Sequence, residues 1–405
     1  MSVAQTLVAR TAPLPGDVDL LAFAGPDGYV LERDGTGLAG RGQALRIELP
    51  DGLGGVGATE RVEATLASIV VEDEVGAPGT GAVALGALPF APTAPGSLVV
   101  PEVVVGRSRD AAWMTTFGPL SPAPAARPPR ARAPDTFNLT PALTHEEWAG
   151  LVRRAVAAIQ AGDLRKVVLA REVLVEANRP IDVVAVLERL RALYPSCTVF
   201  SVDGFVGATP ELLVARVGDR VSSHPLAGTI ARSGDPDTDA RLGAVLLESY
   251  KERQEHRFVV DDVAAVLRAH CATVDVPDAP TVVSLRNVSH LATRIAGTLR
   301  RPVSVLELAA QLHPTAAVGG TPRRSALDWL AANERLDRGQ YAGPLGWVDA
   351  QGDGEWLLGI RSALVRGRMA RLYAGVGVVA DSDPAAELVE TQLKLQALLA
   401  ALVRP

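Results

Sequence analysis

The sequence predicts an α+β protein built on large, mainly antiparallel sheets with helices packed outside them. Three observations carry this expectation. The 405-residue chain is 48% hydrophobic with a mean hydropathy of +0.17, enough apolar side chain to bury a substantial core. Short apolar segments broken by Gly and Pro fill its first third, which marks a strand-rich part. No regular alternation of strand and helix follows, so the parallel sheet of a βαβ fold is not expected.

Taken in order, residues 1 to about 118 offer strand-like segments at 20–23, 44–49, 64–71, 81–85 and 97–100. Residues 119–134 are rich in Pro, Ala and Arg and read as an exposed connector. Beyond it, a helix opens at Thr144 and runs to Ile159, and residues 165–175 form a strand. Residues 181–193 are helical, and 198–202, 205–207 and 212–215 make a meander of short strands. A largely helical stretch covers 241–268, strands cover 281–285 and 293–299, and helices cover 305–312 and 325–332. Residues 345–349 and 355–360 flank the turn Gln351-Gly-Asp-Gly354 as a hairpin. A last helix is capped by Asp383, with Pro384 at its first position. There is no internal repeat.

That last helix has an unusual charge pattern. Glu387, Glu390 and Lys394 lie at i, i+3 and i+7 and form one narrow stripe, while Leu388, Val389, Leu393, Leu395 and Leu399 make most other sides apolar. Such a helix either buries its stripe at an internal polar site or simply solvates it, with an i,i+4 Glu-Lys pair. Composition sets further bounds. No apolar run approaches a membrane span, no charged start precedes an apolar leader, and a cytoplasmic protein is expected. The net charge of −6 argues against nucleic acid or a membrane surface as the main partner. Cys197 and Cys271 provide neither a disulfide framework nor a metal motif, and both read as buried thiols.

Only three of the 40 basic residues are lysines, Lys166, Lys251 and Lys394. Where arginine serves for ordinary positive charge, a lysine invites a chemical reason: an amine can give up its proton and act as a base. Lys251, within the dense charges of 251–257, is the one that chance explains best. Lys166 sits on an apolar strand, either turned inward and desolvated or at an edge facing water. Glu211 follows Gly207-Ala-Thr-Pro210 at a strand-turn junction, where a carboxylate is commonly a cap. Pro225-Leu-Ala-Gly228-Thr229 is a small-residue loop whose backbone could approach a ligand. Glu252 and Glu255 form a second acidic pair on one helix face. Two such pairs without a matching set of Cys and His favour a hard, oxygen-seeking ion such as Mg²⁺.

Several strings now form an ordered set: Lys166-Val-Val-Leu-Ala-Arg, Gly207-Ala-Thr-Pro-Glu211, Pro225-Leu-Ala-Gly-Thr229, Ser249-Tyr-Lys-Glu-Arg-Gln-Glu255-His256, Leu312-His-Pro-Thr-Ala-Ala317, Tyr341-Ala-Gly-Pro, Ile360-Arg361-Ser and Ala374-Gly375-Val-Gly377. Together they resemble the chorismate-utilising enzymes, most closely the isochorismate synthases, over a motif-bearing part from about 140 to 400. The resemblance implies a single domain over residues 1–405, in which two large antiparallel β-sheets form a sandwich with helices outside and the active site lies in a deep cleft.

By that resemblance Lys166 looks like the general base that activates water for attack at C2 of chorismate, and Glu211 like the acid that protonates the departing C4 hydroxyl. Glu255 and Glu390 look like Mg²⁺ ligands, with Glu252 and Glu387 close by. Tyr341, Arg361 and Lys394, with the backbone at Gly228, Thr229, Gly375 and Gly377, would hold the substrate's carboxylates. His290 matches a site position of supporting role. Relatives that add ammonia usually lack lysine at the position of Lys166, so water is the implied nucleophile and no glutamine amidotransferase subunit is expected. Oligomeric state is left open by the residues, with a monomer preferred. Salicylate synthases typically carry threonine where this chain has Ala317, which favours stopping at isochorismate. Ala316 departs from the proline common there. Salicylate synthase and a catalytically silent chorismate-binding subunit are the alternatives. The product could feed menaquinone or a siderophore.

Overall fold

A computed structural model describes residues 7–16, 18–117 and 132–403. Two large sheets and one small one carry the chain. The largest has 13 strands, and its middle runs Lys166–Ala177, Met369–Val378, Ser362–Arg366, Phe205–Thr209, Thr198–Val202 and then Tyr29–Arg33. The second, of nine strands, includes Arg220–His224, Leu212–Val217, Gly354–Leu358, Pro344–Asp349 and Val83–Ala87 in that order. Leu226–Ala231, Val288–Ala292 and Thr281–Ser284 make a three-stranded sheet. Among the described residues every strand pair is antiparallel except Val8–Pro13 with Val70–Asp73.

The two large sheets pack face to face. Leu31, Phe200 and Phe205 of one meet Leu85, Leu345 and Leu357 of the other in a shared buried cluster. The outer face of the 13-stranded sheet is covered by helices, with Val186, Leu187 and Leu190 of Val183–Leu193 and Leu395, Leu398 and Leu402 of Pro384–Val403 in the same cluster as Val173, Val175 and Leu372. The expected α+β sandwich with outer helices is therefore what the chain forms. Strands from before and after the connector share both large sheets. Of that connector, 119–131 lie outside the described residues, and Arg132 and Ala133 are exposed.

Four local expectations are corrected. Residues 20–23 are helical, not extended, because Asp19 caps the amides of Leu21 and Ala22 and Gly25 ends the turn at φ 68. Residues 64–67 finish a helix, Ala58–Ala67, which buries Val62 and Leu66 four residues apart; extended chain begins only at Val70. The stretch 241–268 is two helices, Pro236–Glu248 and Tyr250–His270, broken where Ser249 turns extended and caps the second with its hydroxyl. The strand Val288–Ala292 falls between two expected strands.

Candidate active site

The C-terminal helix settles the question its sequence posed. Asp383 caps it through the amides of Ala385 and Ala386, at 3.0 and 2.9 Å. Glu387 is 1% exposed, whereas the apolar Val389 is 53% exposed, so the charged stripe faces inward. It points at the start of the helix Tyr250–His270, and the chain's three lysines meet the four glutamates there. Lys166 Nζ lies 3.0 Å from Glu255 Oε1, Lys251 Nζ 3.1 Å from Glu387 Oε1 and 4.0 Å from Glu252 Oε1, and Lys394 Nζ 2.6 Å from Glu390 Oε1. Lys251 thus belongs to the cluster, and the case for chance falls. The reason was not visible locally, since only the packing of two distant helices brings its partner within reach.

Lys166 opens the long strand Lys166–Ala177 and is fully buried, which excludes the water-facing reading. Its nitrogen has no hydrogen-bond partner beyond the ion pair with Glu255. The neighbouring strand pairs Val168 with Gly377 and Ala170 with Gly375. Both glycines are spaces that a side chain would fill. A Cβ at Gly377 would stand 2.2 Å from Glu255 Oε1 and 2.9 Å from Lys166 Cε, and one at Gly375 would stand 2.7 Å from the Tyr341 hydroxyl. Gly377→Ala is accordingly expected to displace the Glu255 carboxyl and cost about 1–3 kcal/mol of stability. A crystal structure and a denaturation curve of that variant would check it; an unmoved Glu255 would refute it.

Glu211 stands where the chain leaves strand Phe205–Thr209 of one large sheet and enters Leu212–Val217 of the other, so it sits at the seam of the sandwich. It is buried, and burial raises its pKa to about 7 against the opposing pull of the Leu226 amide, Lys166, Lys394 and Arg361. The expectation that a carboxylate at this junction is merely a cap does not describe it.

The small sheet supplies the opposite wall. Gly228, at φ 73, forms a bulge against Val288–Ala292, and a Cβ there would come within 3.2 Å of Glu252. The Thr229 amide donates to Glu252 Oε2 at 2.9 Å. His290 Nδ1 lies 3.1 Å from the Gly228 carbonyl, which can only accept, so Nδ1 carries the proton. Nε2 then accepts from Arg361 Nη2 at 2.8 Å. Burial and the nearby Arg361 and Lys394 hold His290 far below its ordinary pKa, in keeping with this neutral tautomer. His290 therefore fixes the Arg361 guanidinium, itself buried at φ 51. Tyr341 stacks on Tyr373 with ring centroids 5.1 Å apart, and burial raises its pKa. Lys394 also donates to the Gly375 carbonyl at 2.9 Å.

These groups surround one cavity. Glu211, Gly228, Thr229, Glu255, His290, Ala317, Tyr341, Arg361, Gly375, Gly377 and Lys394 line it. Lys166 lies one step back through Glu255, and Glu252, Glu387 and Glu390 stand beside it on the two helices. Sequence reasoning missed the lining residues Tyr373 and Arg338. Arg338 is consumed structurally: it bonds both Glu334 oxygens at 2.7 Å and the carbonyls of Val318 and Val168. Tyr373 had no signal beyond its strand.

The charges of the acidic cluster are graded. Burial and Glu255 raise the pKa of Glu252 to about 7, and burial raises that of Glu387 despite Lys251. Burial pushes Glu390 up too, but Lys394 and the Thr229 hydroxyl outweigh it and its pKa is lowered. All donors here are carboxylate oxygens. His256, the nearest imidazole in sequence, is committed to Thr293 Oγ1 at 2.7 Å. Among the described residues no three acidic, His or Cys side chains form a ready-made metal cage. No helix among them is long and apolar enough to cross a membrane.

The chain is similar to known proteins of one family. Residues 23–403 match the family described as "Chorismate binding enzyme". The chain is 39% identical over 330 residues to isochorismate synthase DhbC of Bacillus subtilis, covering 78% of this chain and 80% of that protein. It is 36% identical over 322 residues to isochorismate synthase EntC of Escherichia coli, covering 78% and 80%. The structure of MenF, the menaquinone-specific isochorismate synthase of Escherichia coli, superposes with a TM-score of 0.80 at 27% identity, covering 98% of this chain and 95% of that one.

Proposed function

Because the chain belongs to the chorismate-binding enzyme family, we propose that it is an isochorismate synthase, an isomerase that adds water at C2 of chorismate and releases the C4 hydroxyl as water. The observation that carries this reading is Glu211, a carboxyl kept protonated toward neutrality inside a cavity that also receives Glu255 with the buried amine of Lys166 behind it. A hydroxyl leaves poorly and water attacks poorly at neutral pH, so one group must give a proton and another take one. Lys166 is the acceptor for the proton of the attacking water. The ring double bond shifts as the new C2–O bond forms and the C4–O bond breaks, and Glu211 hands its proton to the departing oxygen. Water consumed equals water released.

Arg361, held by His290, is suited to grip a substrate carboxylate through two parallel hydrogen bonds. Lys394, Tyr341 and the backbone around Gly228, Thr229, Gly375 and Gly377 complete the substrate's surroundings. Glu255 and Glu390, with Glu252 and Glu387 beside them, fit Mg²⁺: the donors are all oxygens, the space at Gly377 admits the Glu255 carboxyl, and this ion commonly takes few protein ligands. Bound there, Mg²⁺ would supply positive charge against the substrate's carboxylates. Since water is the nucleophile, the enzyme acts without an amidotransferase subunit. Strands of the N-terminal third pair within both large sheets, which supports reading the chain as one domain.

Incubation with chorismate and Mg²⁺, followed by chromatography, tests the assignment. Isochorismate is the expected product. Salicylate with pyruvate would instead assign the salicylate synthase activity that Ala317 disfavours, and unchanged chorismate would overturn the enzyme reading.

A further inference from the structure

Among the three lysines of the acidic cluster, Lys251 differs in two ways. Lys166 is fully buried and Lys394 is tied to the Gly375 carbonyl as well as to Glu390. The side chain of Lys251 is 34% exposed, and its contacts in the cluster are the two carboxylates of Glu387 and Glu252, which come from different helices. Glu387 is sealed at 2% side-chain exposure, so the lysine is the member through which this pair meets solvent. Four carboxylates brought together from two helices repel one another, and each needs a cation nearby to remain ionised.

We propose that Lys251 is the resident counter-cation of the metal site, pinning Glu387 to Glu252 while no divalent ion is bound and swinging out to solvent when one binds. Metal and ammonium then compete for the negative charge of one cluster, the ammonium on Glu387 and Glu252 and the ion beside it on Glu255 and Glu390. Lys251 is a positioning residue in this scheme, and the scheme rests on the Mg²⁺ reading above. An arginine would serve less well, since its planar fork would grip two carboxylates too firmly to be exchanged, whereas a single ammonium on a flexible stem is released easily.

The test is titration of the chelator-treated full chain with MgCl₂ by calorimetry, with thermal unfolding recorded in parallel. Lys251→Met should lower the metal-free Tm by several degrees, because the glutamates lose their counter-charge. It should also bind Mg²⁺ about tenfold or more tightly than wild type, as expected for removing one positive charge a few ångströms from the ion. A merely structural lysine would show the opposite, weaker binding on loss of the fold's support. If Lys251→Met does not fold, Lys251→Gln, which keeps a hydrogen-bond donor and drops the charge, carries the measurement. Saturable binding in wild type with an equal or weaker affinity in the variant would overturn the competition while leaving the Mg²⁺ site in place. No saturable binding in either protein would overturn both.

Discussion

Lys166→Ala is expected to lower turnover of chorismate by about two to four orders of magnitude, the usual worth of a positioned proton acceptor, with the fold retained. The side chain is buried at the first residue of its strand, so no other side chain of the protein can take over the role from the same place. Lys166→Arg places a permanent cation opposite Glu255 that cannot accept a proton, and it should be equally inactive. Added small alkylamines should return part of the activity to the alanine variant and none to the arginine one. Normal turnover in Lys166→Ala, with circular dichroism unchanged, would sink the base assignment.

The second large effect belongs to Glu211. Its proton is needed on the leaving oxygen, so kcat/KM should fall as pH rises through about 7, where burial has placed its pKa. Glu211→Gln preserves shape and removes the proton. It should cost about 100-fold or more in kcat/KM and abolish that alkaline limb. The same shift bears on stability with a fixed sign. Below the ordinary glutamate value of 4.5 both folded and unfolded states hold the proton; between there and about 7 the unfolded state loses it first, so stability drains away as pH rises across this window. Glu211→Gln should flatten that part of the stability profile. A wild-type profile without the limb would refute the acid assignment.

How much of this was legible in the residues depended on range. The C-terminal helix announced itself because a stripe of charge on an apolar helix is a local pattern, and its cap at Asp383 is read within four residues. Glu211 was visible only as an ordinary turn carboxylate, since its burial is created by two sheets that meet far from it in sequence. His290 could be assigned a supporting place by resemblance, yet its strand escaped notice: Val288–Ala292 is short and follows a turn, with no alternation to mark it. Its task, holding Arg361 through one defined tautomer, needs the Gly228 bulge and the 361 turn in the same place. The helix Leu20–Ala24 was mistaken for a strand because five apolar residues carry no period, and only the Asp19 cap decides. The lysine-glutamate pairs are wholly tertiary. Counting lysines suggested three special positions, but not that one cluster collects all of them.

The motif-poor N-terminal third contributes no lining side chain to the cavity, yet Tyr29–Arg33 is paired with Thr198–Val202 and Val83–Ala87 with Pro344–Asp349. Each of those pairings hides an open row of amides and carbonyls on a strand of the catalytic part. A fragment beginning after the connector would keep every proposed reacting group and expose the edges of two strands of five and six residues, surfaces on which chains can add to one another. The first third thus covers both edges. Both covering strands are buried along nearly their whole length, and this pairing rather than a lining side chain ties the first third to the site.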